Sequence, residues 1–356
     1  MGNDIVAEIC NPDALTAEEK KLLTPCLERR GLNPALLDIV TNIPHRTCLV
    51  KARNTSGDLL GLTSVLLTPT LFMKHCFGQG NHIGTNSTFH FTDTARNEEI
   101  LVAIFRALTA VRPFGYYIGL IDGDCAGDFR SALERVPHIV AEKIMETGSI
   151  STRDPAAERN LLKRHRHLIR QVHRFRNKGG MIHVHEGPVG EELADDFVAC
   201  CLASYRRNIH PVKGIDVDRY GEHVREFLMS FPDMVTFAAT LQDRVVGAQT
   251  FIRHRNHLEL TEGGFLSQTY HAYENIIVSS VRYAVESGLD RVSYGLILNQ
   301  PKDRLMDSDT REPVFLIMFF DRMPGEAERA ALREKAHERF PMLFWRERSG
   351  FRTLPL

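Results

Sequence analysis

The feature that most constrains this chain is a pattern that occurs twice, in the same order. Gly57-Asp58-Leu59-Leu60-Gly61 resembles Asp243-Arg244-Val245-Val246-Gly247, each a hairpin turn followed by two aliphatic residues and a glycine. Tyr117-Ile118-Gly119-Leu120-Ile121 resembles Ser293-Tyr294-Gly295-Leu296-Ile297. The glycines of the two motifs are 58 residues apart in the first copy and 48 in the second. Each copy holds a helical stretch between them. Ile100, Leu101, Ile104, Phe105 and Leu108 set the period over Asn97 to Val111, and Ile276, Ile277, Ser280, Tyr283 and Ala284 set it over Tyr273 to Glu286. Chance can produce one apolar pentad; two of them in order around a helix point to duplication of a hairpin–strand–helix–strand unit. A chain of 356 residues exceeds one typical core, so two units are expected, over 1–150 and 151–356.

The intervening punctuation fits. Thr16-Ala17-Glu18-Glu19 opens a helix with a threonine cap and early acids, and Gly31 closes it. Strands are predicted over Cys48–Arg53 and Leu59–Leu67 around an Asn54–Gly57 turn, and a loop over Gly78–Asn86. Strands follow at Val235–Leu241, Val245–Arg253 and His257–Leu260, with a turn at Gln242-Asp243 and a last strand over Val292–Leu298.

Composition excludes more than it selects. With 43% hydrophobic and 25% charged residues the chain is globular, and a net charge of −1 pulls it globally toward neither nucleic acid nor membrane, so any basic site must be local. Seven cysteines without a C-x-x-C pair read as reduced thiols. The start lacks a basic region followed by an apolar run, and Val6 stands where myristoylation after Gly2 requires Ser or Thr. The longest apolar run, Val314–Phe320, falls far short of the ~20 residues of a membrane span. A cytoplasmic protein is expected.

The sharpest local feature is Lys163–Lys178, read as one helix with seven Lys or Arg, three His and no acid. Leu161, Leu168, Ile169, Val172 and Phe175 recur at helical spacing and are expected to face the core. Arg166, Arg170, Arg174 and Lys178 recur every fourth residue and form a cationic ridge. Like charges at that spacing repel by a few tenths of a kcal/mol per pair, a cost that a phosphate-bearing ligand relieves. The alternative is a solvated face whose acids come from elsewhere in the fold.

The order of basic helix, Lys178-Gly179-Gly180-Met181 into a strand, the Asp243–Gly247 turn, the Tyr273–Gly288 helix and a strand ending near Lys302 resembles the C-terminal domain of Fem-type and related acyltransferases of the GNAT superfamily. The resemblance covers Arg153 to about Met306, and the first half through the repeat. It implies an α/β fold of two GNAT-like domains, each a mixed, mostly antiparallel sheet flanked by helices. It also implies transfer of an activated acyl or aminoacyl group to the amine of a small or medium-sized acceptor, with no tightly bound cofactor. GNAT enzymes bind the coenzyme A pyrophosphate on a glycine-containing loop at a helix N-terminus. The matching stretches, Leu266–Ala272 and Phe91–Arg96, contain no glycine. Fem-type enzymes take their acyl group from aminoacyl-tRNA, and that donor is preferred here, with an acyl-CoA or carrier-protein thioester as the alternative. Lys302 matches a lysine near the donor in such enzymes, and Arg304 adds charge beside it; the other reading of Lys302 is a surface lysine.

Amine acylation requires a deprotonated amine, an aligned ester or thioester and a group that stabilises the oxyanion. Glu262, before Gly263-Gly264, is the candidate base, or else an edge-strand acid. Tyr294 is a candidate oxyanion donor, or else core. His183 and His185 share one strand face without completing a ligand set, so no metal is expected. A rival from another class is a non-catalytic RNA-binding protein using the Lys163–Lys178 ridge, although the only aromatic there is Phe175, on the apolar side.

Overall fold

The computed structural model describes residues 4–10, 15–29, 47–68, 71–73, 90–92, 96–111, 115–120, 126–208, 217–254, 256–267, 270–296, 300–307, 313–319 and 322–339. In chain order the elements are β1 (Ile5–Cys10), α1 (Ala17–Arg29), β2 (Thr47–Asn54), β3 (Leu59–Thr68), β4 (Leu71–Met73), β5 (His90–Phe91), α2 (Asn97–Val111), β6 (Gly115–Leu120), α3 (Ala126–Arg135) and β7 (Ile139–Ser151). They continue as α4 (Ala157–Arg164), α5 (Arg166–Asn177), β8 (Gly180–Glu186), α6 (Glu191–Asn208), α7 (Val217–Ser230), β9 (Met234–Leu241), β10 (Arg244–His254), β11 (His257–Phe265), α8 (Ala272–Glu286), β12 (Arg291–Leu296), α9 (Gln300–Leu305), β13 (Pro313–Phe319) and α10 (Glu326–Arg339). The loop expected over Gly78–Asn86 lies outside the described residues.

The chain divides into two units, Met1–Glu146 with Glu312–Leu356, and Thr147–Arg311. The division expected from the repeat placed all of 151–356 together. The difference lies in β13, which pairs antiparallel with β6 and with the Ile139–Glu146 part of β7, so the segment beginning at Glu312 returns to the first unit.

In the first unit β1, β2, β3 and β4 form an antiparallel sheet in that order, with β5 on β3. Ile5, Val50 and Ala52 from this sheet pack with Ile100, Leu101, Ile104, Phe105 and Leu108 of α2, with Ala132 of α3 and with Val136 just past its end. Thr16 caps α1 as the sequence predicts: its hydroxyl accepts the Glu19 N–H at 3.2 Å, and the Glu19 carboxylate accepts the Thr16 N–H at 2.8 Å.

In the second unit the strand order is β7 (from Thr147), β12, β11, β10, β9, β8. All neighbours are antiparallel except β11 and β12, which run parallel over His257–Glu259 and Arg291–Ser293. The fold class expected from the sequence, mixed and mostly antiparallel sheets flanked by helices, is the one found. The two faces of this sheet are told apart by their glycines. A Cβ on Gly247 would meet Ala272 of α8, whereas one on Gly264 would fall 2.3 Å from the α6 backbone at Cys200 and Cys201. Gly264 is therefore where the helix lies directly on the strand. Phe237, Phe251 and Tyr294 fill the α8 face in edge-to-face contacts. No helix among the described residues is long and apolar enough to cross a membrane.

Candidate functional site

The basic segment is two helices, not the single helix that the periodicity predicts over Lys163–Lys178. His165 interrupts it with φ −120° and ψ 68°, closing α4 through its N–H to the Leu161 carbonyl and opening α5 by accepting the Leu168 N–H. Leu161, Leu168, Val172 and Phe175 are buried as expected. Ile169 is not: it is 38% exposed, because the restart of the helix at Arg166 carries it to the outer face. Past Lys178, Gly180 has no room for a side chain, since a Cβ there would lie 2.6 Å from the Phe175 ring.

The break gives the cations a concave arrangement. Arg159 and Lys163 of α4 and Arg166 and Arg170 of α5 surround Leu162 and Ile169 in an open groove of about 610 Å³. Arg174 and Lys178 continue the row as exposed residues. Among the described residues none of these six cations has an ion pair or a side-chain hydrogen bond. Two acids of this unit are engaged elsewhere: Glu158 with Arg282 of α8 at 2.9 Å, and Asp307 with Arg164 at 2.7 Å. Burial, with the charges of Arg164 and His167, holds the His165 imidazole below its ordinary value.

A second polar array lies on the α6 face of the sheet. Directly opposed residues share a face, so Glu262, paired with Thr250, which is paired with Thr236, lies on the side of Gly264. A bulge at Thr261 shifts the register between Thr250 and Phe251, and so Glu259, opposite Ile252, returns to the same face. Without that extra residue, acids three positions apart would point to opposite faces. Glu259 continues laterally through Ser293 of β12 to Ser149 of β7. Glu259, Glu262, Ser149 and Ser293 are all at most 6% exposed. The Thr236 hydroxyl donates to that of Thr250 at 3.0 Å, and the Thr261 hydroxyl to the Thr250 carbonyl at 3.0 Å.

Beyond Glu259 the pairing of β11 with β12 ends, so Glu262 stands past the point where the two strands part. The end of β11 is held instead by α6. Ser204 accepts the Phe265 N–H at 2.7 Å, and Arg207 donates to the carbonyls of Phe265 and Leu266 at 2.5 Å each. The approach to α8 ends at His271, in the left-handed region with φ 60° and no side-chain cap; Gln268 and Thr269 of this approach lie outside the described residues.

The remaining expected site residues fall as follows. Tyr294 is 1% exposed; its hydroxyl shares a 2.7 Å hydrogen bond with Ser280 and donates to the Ile277 carbonyl at 3.2 Å, and burial raises its pKa well above the ordinary tyrosine range. That is the environment of a core residue. Lys302 and Arg304 are on α9, where Arg304 is exposed; the Lys302 side chain lies outside the described residues. His183 and His185 are exposed on β8, with His183 Nε2 3.1 Å from the Thr240 hydroxyl. Cys200 and Cys201 are buried free thiols, and burial pushes the Cys200 thiol up to about 12.

Glu259, Arg159, Asp307, and Lys163 as a site residue, are not among the candidates that the sequence points to. Asp307 ties three parts together: its N–H donates to the Ser149 carbonyl at 3.0 Å, one carboxylate oxygen accepts the Ser151 N–H at 2.8 Å, and the other takes Arg164. The turn after α9, the strand carrying Ser149 and the end of α4 are thereby joined. A signal for Arg159 and Lys163 did exist: Arg159, Lys163, Arg166 and Arg170 follow a seven-residue repeat along one helical stripe.

No protein-family model matches the chain, and no curated protein matches its sequence. Solved structures match in fold. L-PGS from Bacillus licheniformis aligns at 9% identity over 91% of this chain and 97% of its own, with a TM-score of 0.58. The C-terminal domain (DUF2156) of a protein assigned as a lysylphosphatidylglycerol synthetase from Agrobacterium fabrum aligns at 11% identity over 90% and 96%, TM-score 0.59. A conserved protein of unknown function from Bacteroides thetaiotaomicron VPI-5482 aligns at 10% over 85% and 97%, TM-score 0.52. The chain has their fold. Coverage above 95% of each of these chains means that both units, not one, are shared with them.

Proposed function

We propose that this chain is an acyltransferase that moves an aminoacyl group from aminoacyl-tRNA to the amine of a small or medium-sized acceptor. The observation that carries the reading is the set of six cations along α4, α5 and the α5 C-cap with no carboxylate partner among the described residues, a surface suited to a phosphodiester backbone. One of the fold neighbours is named for lysylphosphatidylglycerol synthesis, and this supports aminoacyl transfer as the class. The absence of glycine from Leu266–Ala272 supports tRNA over coenzyme A. A cytoplasmic location, where charged tRNA is made, accompanies this reading.

In the proposed reaction the acceptor nitrogen attacks the aminoacyl carbonyl carbon, the carbon–oxygen bond to the tRNA breaks, and the tRNA oxygen leaves. Glu262 takes the proton from the attacking amine, and that proton ends on the leaving oxygen. In this reading a substrate reaches Glu262 where β11 and β12 cease to pair, just past Glu259. Tyr294 supports this geometry from the opposite face by locking β12 to α8 through Ser280. Lys302 and Arg304 add positive charge for the donor.

The test is transfer of a labelled aminoacyl group from charged tRNA to a panel of amines, with and without ribonuclease, beside direct binding of charged tRNA, uncharged tRNA and coenzyme A at two salt concentrations. Ribonuclease-sensitive transfer and salt-sensitive preference for charged tRNA, both lost in the Arg166→Ala, Arg170→Ala, Arg174→Ala triple variant, are the expected results. Tight coenzyme A binding with indifference to tRNA overturns the donor and leaves a thioester-dependent N-acyltransferase. Salt-sensitive RNA binding with no turnover on any donor leaves an RNA-binding protein.

A further inference from the structure

The groove at the α4–α5 break is amphipathic in a way that distinguishes kinds of RNA. Its four cations line the walls, but its middle is Leu162 and Ile169. A duplex offers a rail of phosphates with its bases stacked inside, and it gains nothing from an aliphatic floor. An unpaired strand brings both faces of its chemistry: phosphates for the cations, and splayed bases for the aliphatic side chains and guanidinium planes.

From this arrangement we infer that the groove holds an unpaired RNA segment, with Arg159, Lys163, Arg166 and Arg170 on its phosphates and Leu162 and Ile169 under its bases. The inference rests on the RNA-donor reading and sharpens it. Arg174 and Lys178 carry the strand away from the groove, each cation about 6 Å further along the axis of α5, a steady rail for successive phosphates. Among the described residues the groove has no aromatic side chain, so the guanidinium groups are its stacking partners. An anionic membrane surface also combines cations with apolar contact, but it calls for a convex apolar face. Here the apolar part is only two residues, a half-buried Leu162 and an Ile169 that is 38% exposed, far less than the apolar stripe of a helix that lies in a membrane surface.

The experiment measures binding of a short unpaired RNA oligonucleotide, a duplex hairpin of the same length, and phosphatidylglycerol-containing vesicles to the full chain, with Ile169→Ser and Arg166→Ala/Arg170→Ala variants. The unpaired RNA is expected to bind about tenfold more tightly than the duplex. Ile169→Ser, at an exposed position whose loss leaves the melting temperature unchanged, is expected to remove most of that preference and leave duplex binding intact. Arg166→Ala/Arg170→Ala is expected to weaken both RNAs and flatten their salt dependence. Equal binding of the two RNAs, or an Ile169→Ser variant that keeps the preference, overturns this inference and leaves the donor reading standing. Binding of neither RNA overturns both, and vesicle binding lost in Ile169→Ser in place of RNA binding reassigns the groove to a membrane.

Discussion

The two units build the same hairpin and use its inner face in opposite ways. In the first, Ala52 opposes Gly61 and Lys51 opposes Leu62; in the second, Ala239 opposes Gly247 and Ala238 opposes Ala248. Both ladders carry a bulge one residue before the glycine, at Leu60 and at Val246. The duplication thus extends to strand register, and it sets Lys51 and Ala238 in equivalent places. Lys51 is 1% exposed and donates to Glu19 at 2.7 Å, while Arg53 binds the other oxygen of that carboxylate and Glu8 at 3.2 Å. This network occupies the space between β2 and α1. In the second unit, Ala238, Ala248 and Gly264 let α6 lie directly on the sheet, and the polar side chains appear further along, as Glu262, Glu259, Ser293 and Ser149. One unit has filled the face with an ion cluster that includes two cations; the other sets carboxylates beside residues that carry hydroxyls. On the proposed function, the chemistry belongs to the second unit, which carries Glu262.

The comparison breaks most visibly at Lys51. Removing one member of a buried ion pair strands the other, so Lys51→Met is expected to destabilise the first unit by about 3–5 kcal/mol in denaturant unfolding. Turnover at low temperature, where the variant stays folded, is expected to be unchanged. Loss of turnover in proportion to the native fraction keeps the contrast; loss beyond it moves the chemistry into the first unit.

Glu262→Gln is the mirror experiment. It keeps the shape and removes the base, so kcat is expected to fall about 10²-fold or more, with little change in melting temperature. A variant that retains activity but melts early would make Glu262 the counterpart of Glu19.

A smaller effect is expected from the cationic row. Replacing Arg166, Arg170 and Arg174 by alanine removes three phosphate contacts, and the slope of log affinity against log salt is expected to become shallower by about 2. Arg53→Ala in the first unit is expected to leave that slope unchanged.

The smallest effect separates the units by pH. In the second, burial lowers the pKa of His165 and, with the His183 charge, of His185. A histidine whose folded pKa is depressed gives full stability above its ordinary value of 6.5 and loses it as pH falls toward the folded value. In the first unit burial pushes Glu19 up, but hydrogen bonds from Lys51, Thr16 and Arg53 outweigh it and leave the carboxyl below its ordinary 4.5. Its contribution is present above 4.5 and lost only as pH falls through the depressed value. Hydrogen exchange on stepwise acidification should therefore quicken around α4 and β8 before it does around α1. The reverse order would mean that the histidines are not the weak point.

Sequence alone specified what short range controls. The Thr16–Glu19 capping box, the α2 period from Ile100 to Leu108 and the Gln242-Asp243 turn, both of whose residues take positive φ, were legible because each is set by neighbours within a turn or two. The hairpin register followed, since a repeated turn with repeated glycines repeats its pairing. The cationic row was legible as residues, while its concavity depended on the break at His165, a position with neither proline nor glycine to announce it. Glu262 was found and Glu259 was not, because only a bulge, a product of strand pairing, puts residues three apart on one face. The return of Glu312 onward to the first unit, the core position of Tyr294 and the joining role of Asp307 were likewise decided by partners more than a dozen residues away. Local chemistry determines which elements form and which charges they carry. Long-range pairing determines which of those charges meet, because the apolar faces that drive it are indifferent to the polar residues they bring together.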